Sequence, residues 1–389
     1  MRPEPHPAIA GASREMVKPL VGAFKRAIRL SRPTVGTEHL LFVLLTGESA
    51  ASELLAPKAR VSGPLMGVIA AKDDVHWASE ERAADPASAG DPAVVALLRE
   101  AEWLARQSTG RRGKQHPDGG QPPPEIQHPL PTDALAAAIR QAFLHAHERG
   151  VSQANATHML MGLIHDPGNR ACEALLERRL DRDELIARLS VHPSAHQDGT
   201  PRSDGVEGLR NLGVLNQGGW KLWGGLARAL TSGGFGSPIV PTVRQEARRQ
   251  AVRLGHSNVT TVHLLLAMLA LDDQLTTTGL RLRDGLEQNN TAAELLRAQG
   301  VTLPVAVNAA ELVPAERGEP GSPVPPKLSG GAEQALTRAR LNANERKDPS
   351  TGTTHLLTAL LADPDDPCNA LLAAVGVDTD RLRRTLGHS

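Results

Sequence analysis

Apolar residues in this chain recur at helical spacing, and one short pattern organises them. The stretch Gly36-Thr37-Glu38-His39-Leu40-Leu41-Phe42-Val43-Leu44-Leu45 sets a polar, histidine-bearing start before an almost continuous apolar run. Versions of it return at Ala156-Thr157-His158-Met159-Leu160-Met161-Gly162-Leu163-Ile164, at Thr261-Val262-His263-Leu264-Leu265-Leu266-Ala267-Met268-Leu269 and at Gly352-Thr353-Thr354-His355-Leu356-Leu357-Thr358-Ala359-Leu360-Leu361. A pattern that returns in this way identifies an internal repeat and outranks any local reading.

The match extends beyond the motif. Twelve residues before each histidine stand Ala27, Ala146, Ala251 and Ala343, and sixteen before stand Ala23, Ala142, Ala247 and Ala339. Alanines at i and i+4 lie one above the other on a helix, where small side chains let a second helix approach. Downstream, each motif is followed by an apolar pair: Leu54-Leu55, Leu175-Leu176, Leu295-Leu296 and Leu371-Leu372. The pattern predicts four copies of one helical unit.

In the first copy, Val17, Leu20, Val21, Phe24, Ala27 and Ile28 form a helical stripe ended by Ser31-Arg32-Pro33. Thr37 then stands in the N-cap place of the leucine-rich helix. Leu65, Met66, Val68 and Ile69 suit the last helix of this copy, and residues 73–92 read as a loop. Val94 to Gln107 reads as a further amphipathic helix, followed by a Pro/Gly connector with a basic patch of Arg111, Arg112 and Lys114, most simply a solvated loop. In the third copy Arg244, Arg248, Arg249 and Arg253 read as a charged solvent face, and Asp272 to Gln288 as an insertion.

These readings place the repeats at about 8–71 and 132–192 around a connector at 110–131, and at about 239–312 and 332–389 around a connector at 314–331. The expected domains are 8–192 and 239–389. The linker 193–238 is rich in Gly, Asp, Ser and Asn. Within it, Trp220, Trp223, Leu226, Ala227 and Leu230 with Lys221 and Arg228 predict a short amphipathic helix, docked between the domains or presented to a membrane or partner.

Composition narrows the function. With 43 basic and 43 acidic residues the formal net charge is zero, so no global field draws the chain to nucleic acid or an anionic membrane. Four Phe, four Trp and no Tyr leave little stacking surface for single-stranded nucleic acid. Two cysteines make no disulfide framework; Cys172 and Cys368 hold equivalent places and read as small buried residues, with a disulfide between copies or a reactive thiol as the alternative. The first residues lack a signal-peptide layout and no apolar run suits a membrane span, so a soluble cytoplasmic protein is expected.

His39, His158, His263 and His355 each lie in a separate unit, which favours packing or capping over a shared metal. No cofactor is expected. No His-Glu-x-x-His or Gly-x-Ser-x-Gly motif occurs, and the Gly113-Lys114 pair continues to Gln115 rather than completing a phosphate-cradling Gly-x-x-x-x-Gly-Lys-Ser/Thr loop.

The Thr-x-His-Leu-Leu motif, the alanine-rich helix before it and two such units per domain resemble the N-terminal, or Clp repeat, domain of the Clp/Hsp100 unfoldases. Thr37-Glu38-His39-Leu40-Leu41 and Gly352-Thr353-Thr354-His355-Leu356-Leu357 carry the closest likeness. The resemblance implies an all-α fold: two tandem domains, each of two pseudo-symmetric multi-helix repeats, here without the ATPase modules of the family. It implies a non-catalytic module that binds peptides, clients or a Clp unfoldase, as an adaptor or a decoy; a regulatory subunit of an active Clp complex is the alternative. In the ClpC branch the glutamate of the motif helps hold arginine-phosphorylated clients. Thr37 and Glu38 are therefore the implied peptide-binding residues. Only the first copy has this glutamate; Thr157, Val262 and Thr354 replace it elsewhere.

Overall fold

The computed structural model describes residues 11–55, 59–72, 77–84, 91–113, 129–216, 237, 239–318 and 325–387. The fold is all-α, and its strands are pairs of two residues. Among the described residues, 11–202 pack as one unit and 203–387 as another.

Each motif helix is reached by the same path. A 16-residue helix comes first in every case: Arg14–Arg29, Asp133–Glu148, Ile239–Leu254 and Gly330–Glu345. Its alanine pair is buried throughout, from Ala23 and Ala27 to Ala339 and Ala343. The helix closes in a left-handed residue, Ser31, Gly150, Gly255 or Lys347 (φ between 52° and 73°). The next N–H then turns back onto a carbonyl of the last turn: Arg32 to Ala27, Val151 to Ala146, His256 to Ala251 and Asp348 to Ala343, at 2.8–2.9 Å. The alanine twelve residues before each histidine is thus the acceptor that ends its helix.

A short extended stretch follows, and it ties the repeats together crosswise. In the first unit Gly11–Ala12, before the first long helix, pairs in parallel with Gln153–Ala154, before the second motif helix. Reciprocally, Thr34–Val35 pairs with Leu130–Pro131. In the second unit Asn258–Val259 pairs with Lys327–Leu328 in the same sense. Each pairing sets the start of one repeat's motif helix against the start of its neighbour's long helix.

The motif helices Thr37–Thr46, Ala156–Leu163, Thr261–Thr277 and Thr353–Leu361 form the centre of each core. Leu40, Leu41, Leu160, Leu264, Leu265, Leu357 and Leu361 are shut off from solvent. Around them pack the shorter helices Ala50–Leu55, Arg170–Glu177, Ala292–Ala298 and Pro367–Ala374. The last helices of the repeats are Ala59–Lys72, Arg182–Val191, Leu303–Ala310 and Thr379–Gly387.

Several expectations change. Thr37 is the first helical residue rather than the N-cap; Gly36 holds that place, because the histidine two residues after Thr37 does the capping. The helix expected over Val94–Gln107 runs from Pro92 to Gly113, into the expected connector, with Val94, Leu97, Leu98, Ala101 and Ala105 buried. The insertion after Leu271 begins as helix, extending the third motif helix to Thr277. Within the expected linker, Pro193–His196 is a short 3₁₀ turn that packs in the first unit, while Asp204–Asn211 is a helix of the second. Arg249 is not on a solvent face: it is 6% exposed and paired with Glu246 and Asp204 at 2.9 and 3.3 Å, because Asp204–Asn211 covers that side of its helix. The Trp220–Trp223 segment, Lys114, and the side chains of Arg111 and Arg112 lie outside the described residues.

Candidate functional site

The first three N–H groups of a helix have no partner within it, and a side chain three residues after the N-cap can reach back to the cap's own N–H. A histidine does this in each motif helix. His39 Nδ1 accepts from Gly36 N–H at 3.2 Å, His158 from Asn155 at 3.2 Å, His263 from Thr260 at 2.8 Å and His355 from Gly352 at 3.1 Å. An accepting Nδ1 leaves the proton on Nε2. That proton is directed to Ala195 O from His158 (3.0 Å), to His256 Nδ1 from His263 (2.9 Å) and to Asp348 Oδ2 from His355 (2.7 Å). His256 and Asp348 are the residues that close the preceding helices, so His263 and His355 each join the end of one helix to the start of the next, whereas His158 reaches forward to the turn Pro193–His196.

The first copy departs from this arrangement. Glu38 Oε1 lies 2.9 Å from His39 Nδ1 and 3.2 Å from Arg170 Nη1. Glu38 is 2% exposed, and among the described residues neither its Oε2 nor His39 Nε2 has a hydrogen-bond partner. Burial pushes the Glu38 carboxyl up, but its close contact with the His39 ring and then the charge of Arg170 outweigh it and hold it below the usual glutamate range.

A second carboxylate, Glu81, enters the same place from the segment 77–84. It accepts from Thr37 N–H at 3.0 Å, from the Thr37 hydroxyl, from Thr132 Oγ1 at 2.8 Å and from Arg170 N–H at 3.0 Å. Thr37 Oγ1 in turn accepts from Ala171 N–H at 3.1 Å. Three helix starts therefore converge on one carboxylate: Thr37–Thr46, Asp133–Glu148 with its N-cap Thr132, and Arg170–Glu177. Helix starts favour negative charge. Burial, and then the neighbouring charge of Glu38, nonetheless push the Glu81 carboxyl up, and hydrogen bonds from Thr37 and Arg170 offset only part of this.

The starts of the second and fourth motif helices are also covered from within the chain. Asn155 Nδ2 donates to Ser194 O and Gln197 O, and Thr157 Oγ1 meets Ser194 Oγ at 2.7 Å. In the second unit Thr353 N–H donates to Asn290 Oδ1 at 2.8 Å and Thr291 N–H to Thr354 Oγ1 at 3.0 Å.

The structure thus brings Thr37, Glu38 and His39 together with Glu81, Thr132 and Arg170, which the sequence did not single out. Nothing local marks Glu81: it lies in a polar loop, 44 residues from Thr37. The histidines stay apart, each at its own helix start. Among the described residues no group of three or more His, Cys, Asp or Glu is placed to hold a metal ion, and no helix is long and apolar enough to cross a membrane. Cys172 and Cys368 are free and buried, and burial pushes both thiols up, Cys172 to about 11.

No curated protein matches the chain. Residues 327–388, which span the fourth motif helix and the helices around it, match the family of the Clp repeat (R) N-terminal domain.

Proposed function

We propose that this chain is a non-catalytic protein- or peptide-binding component of the Clp system, built from two tandem Clp repeat domains. The likeness of residues 327–388 to the Clp repeat N-terminal domain carries the reading. The same closing turn and histidine cap at His39, His158 and His263 support extending it to the other three copies. In this reading the chain captures clients or their peptides and ATP hydrolysis belongs to a partner unfoldase, the chain acting as an adaptor or as a decoy. The enclosure of Glu38 by Arg170 and Glu81 argues that phosphoarginine capture by an open Glu38 is not its resting function.

The test is reconstitution. The purified full chain is added to a Clp ATPase with its peptidase and a fluorescent unfolded client. An adaptor accelerates degradation, and a decoy slows it in proportion to client bound. Absence of binding to both the ATPase and the client overturns the proposal, and ATP hydrolysis by the chain alone overturns its non-catalytic part. A regulatory subunit would instead raise the ATPase rate without retaining client.

A further inference from the structure

We propose that the segment Trp77–Ala84 is an internal occupant of a carboxylate-binding cradle, and that an acidic segment of a partner protein takes the place of Glu81 there. Both Glu81 oxygens are used, Oε1 by the Thr37 hydroxyl and Arg170 N–H, Oε2 by Thr37 N–H and the Thr132 hydroxyl. Two acceptor atoms with two donors each suit a planar carboxylate, and the donors come from elements that are otherwise well packed.

The segment that delivers Glu81 is held differently from the cradle. Apart from Ala84 and half-buried Trp77, its neighbours hold it by polar contacts: Glu173 accepts from Ala78 N–H at 3.1 Å and Ser79 N–H at 2.8 Å, and Asp133 exchanges hydrogen bonds with Arg82. Glu80, Arg82 and Ala83 face solvent. A stretch with few apolar anchors opens at lower cost than the core around it.

Two further observations set this contact apart from an ordinary cap. The start of the fourth motif helix, in the second unit, receives the neutral Asn290 at Thr353 N–H, so covering such a helix start does not by itself call for a charge. And Glu38 Oε2, buried and without a partner among the described residues, shares its space with Glu81: a methyl group on Gly36 would lie 2.7 Å from Glu81 Oε2 and closer still to Glu38 Oε2. Glu81 as a carboxylate opposes Glu38 there. A partner peptide that brings a backbone N–H beside its acidic side chain satisfies both the cradle and Glu38 Oε2.

The inference rests on the binding reading above for its partner, but the cradle is tested without any Clp component. In the full chain, Glu81→Ala empties it. Acetate at constant ionic strength then raises the unfolding temperature of E81A saturably by several degrees and leaves the unaltered chain unchanged, while Thr132→Val in the E81A background weakens the response. Hydrogen exchange of 77–84 rises in E81A, and acetate does not restore it. An E81A chain that shows no acetate response, or the same response as the unaltered chain, overturns the proposal. A response to inorganic phosphate without one to acetate overturns the carboxylate assignment. Should E81A fail to fold, Glu81→Asp, whose carboxylate is withdrawn by one methylene, is expected to show a smaller response of the same kind, and none overturns it. Acetate rescue combined with failed Clp reconstitution would keep the cradle and discard the Clp reading.

Discussion

Thr37 donates its backbone N–H to Glu81 across 44 residues of sequence at 3.0 Å, and its hydroxyl joins the same carboxylate to Ala171 N–H. One threonine therefore fastens the loop segment and the helix Arg170–Glu177 to the first motif helix. Thr37→Val keeps the shape, removes the hydroxyl and leaves Ala171 N–H buried without its acceptor. A loss of about 1–3 kcal/mol is expected. Urea unfolding, followed by hydrogen exchange so that residues 11–202 are read apart from the rest, measures it; no change would mean the hydroxyl is not the acceptor.

The histidine caps predict a graded series. His→Ala removes one capping bond at each helix start, worth about 0.5–2 kcal/mol. His158→Ala, His263→Ala and His355→Ala are expected to lose more than His39→Ala, since their Nε2 atoms also meet Ala195 O, His256 and Asp348. Glutamine, the usual residue three positions after an N-cap that reaches back, recovers part of the cap at His158. Equal losses from His→Ala and His→Gln in unfolding experiments would show that ring packing, not the hydrogen bond, matters.

Acid acts on two of these histidines in a set direction. Burial holds His158 at about 4, and burial together with the charge of His256 holds His263 at about 3. The unfolded chain takes up these protons near pH 6.5, so the stability from each neutral ring is fully present above that and is lost as pH falls towards its folded value. A tenfold difference in proton affinity is about 1.4 kcal/mol, which makes the loss roughly 3 kcal/mol by pH 4 for each histidine. His158→Gln is expected to flatten the pH dependence of the first unit alone and His263→Gln that of the second. Unchanged slopes in the two variants would assign the acid sensitivity to carboxylates.

Gly162 tests the close approach of helices. A methyl group there would lie 2.7 Å from Ala142 N and closer to Ala138 O, both backbone atoms of the neighbouring helix. Gly162→Ala is therefore expected to cost about 1–3 kcal/mol, as overpacking does. At Gly168 the nearest atom is the end of the Asp166 side chain at 3.3 Å, and Gly168→Ala serves as the mild comparison in thermal unfolding.

The Cys172 thiol, raised to about 11 by burial, has roughly a hundredth of the thiolate of an ordinary cysteine at neutral pH. A thiol reagent is expected to label Cys172 and Cys368 in denaturant and to leave both unmodified in the folded chain. Rapid labelling of the native protein would show that these positions open.

The sequence by itself determined what depends on near neighbours. Leu40, Leu160, Leu264 and Leu356 announce buried helices because burial of one face imposes a period of 3.6 residues, and Ala27, Ala146, Ala251 and Ala343 mark the turns that end the preceding helices because such a turn spans only a few residues. The capping histidines were legible for the same reason: three residues separate His39 from Gly36. The tertiary structure alone decided what fills the space beside those helix starts. Glu81 meets Arg170 across 89 residues, and Arg170 meets Glu38 across 132, so no periodicity links them. Arg249, which reads as one arginine among several, became buried only because Asp204–Asn211 lies over it. A helix encodes its own face in local spacing, whereas the partner of a buried charge is set by chain crossings that leave no mark in the residues between.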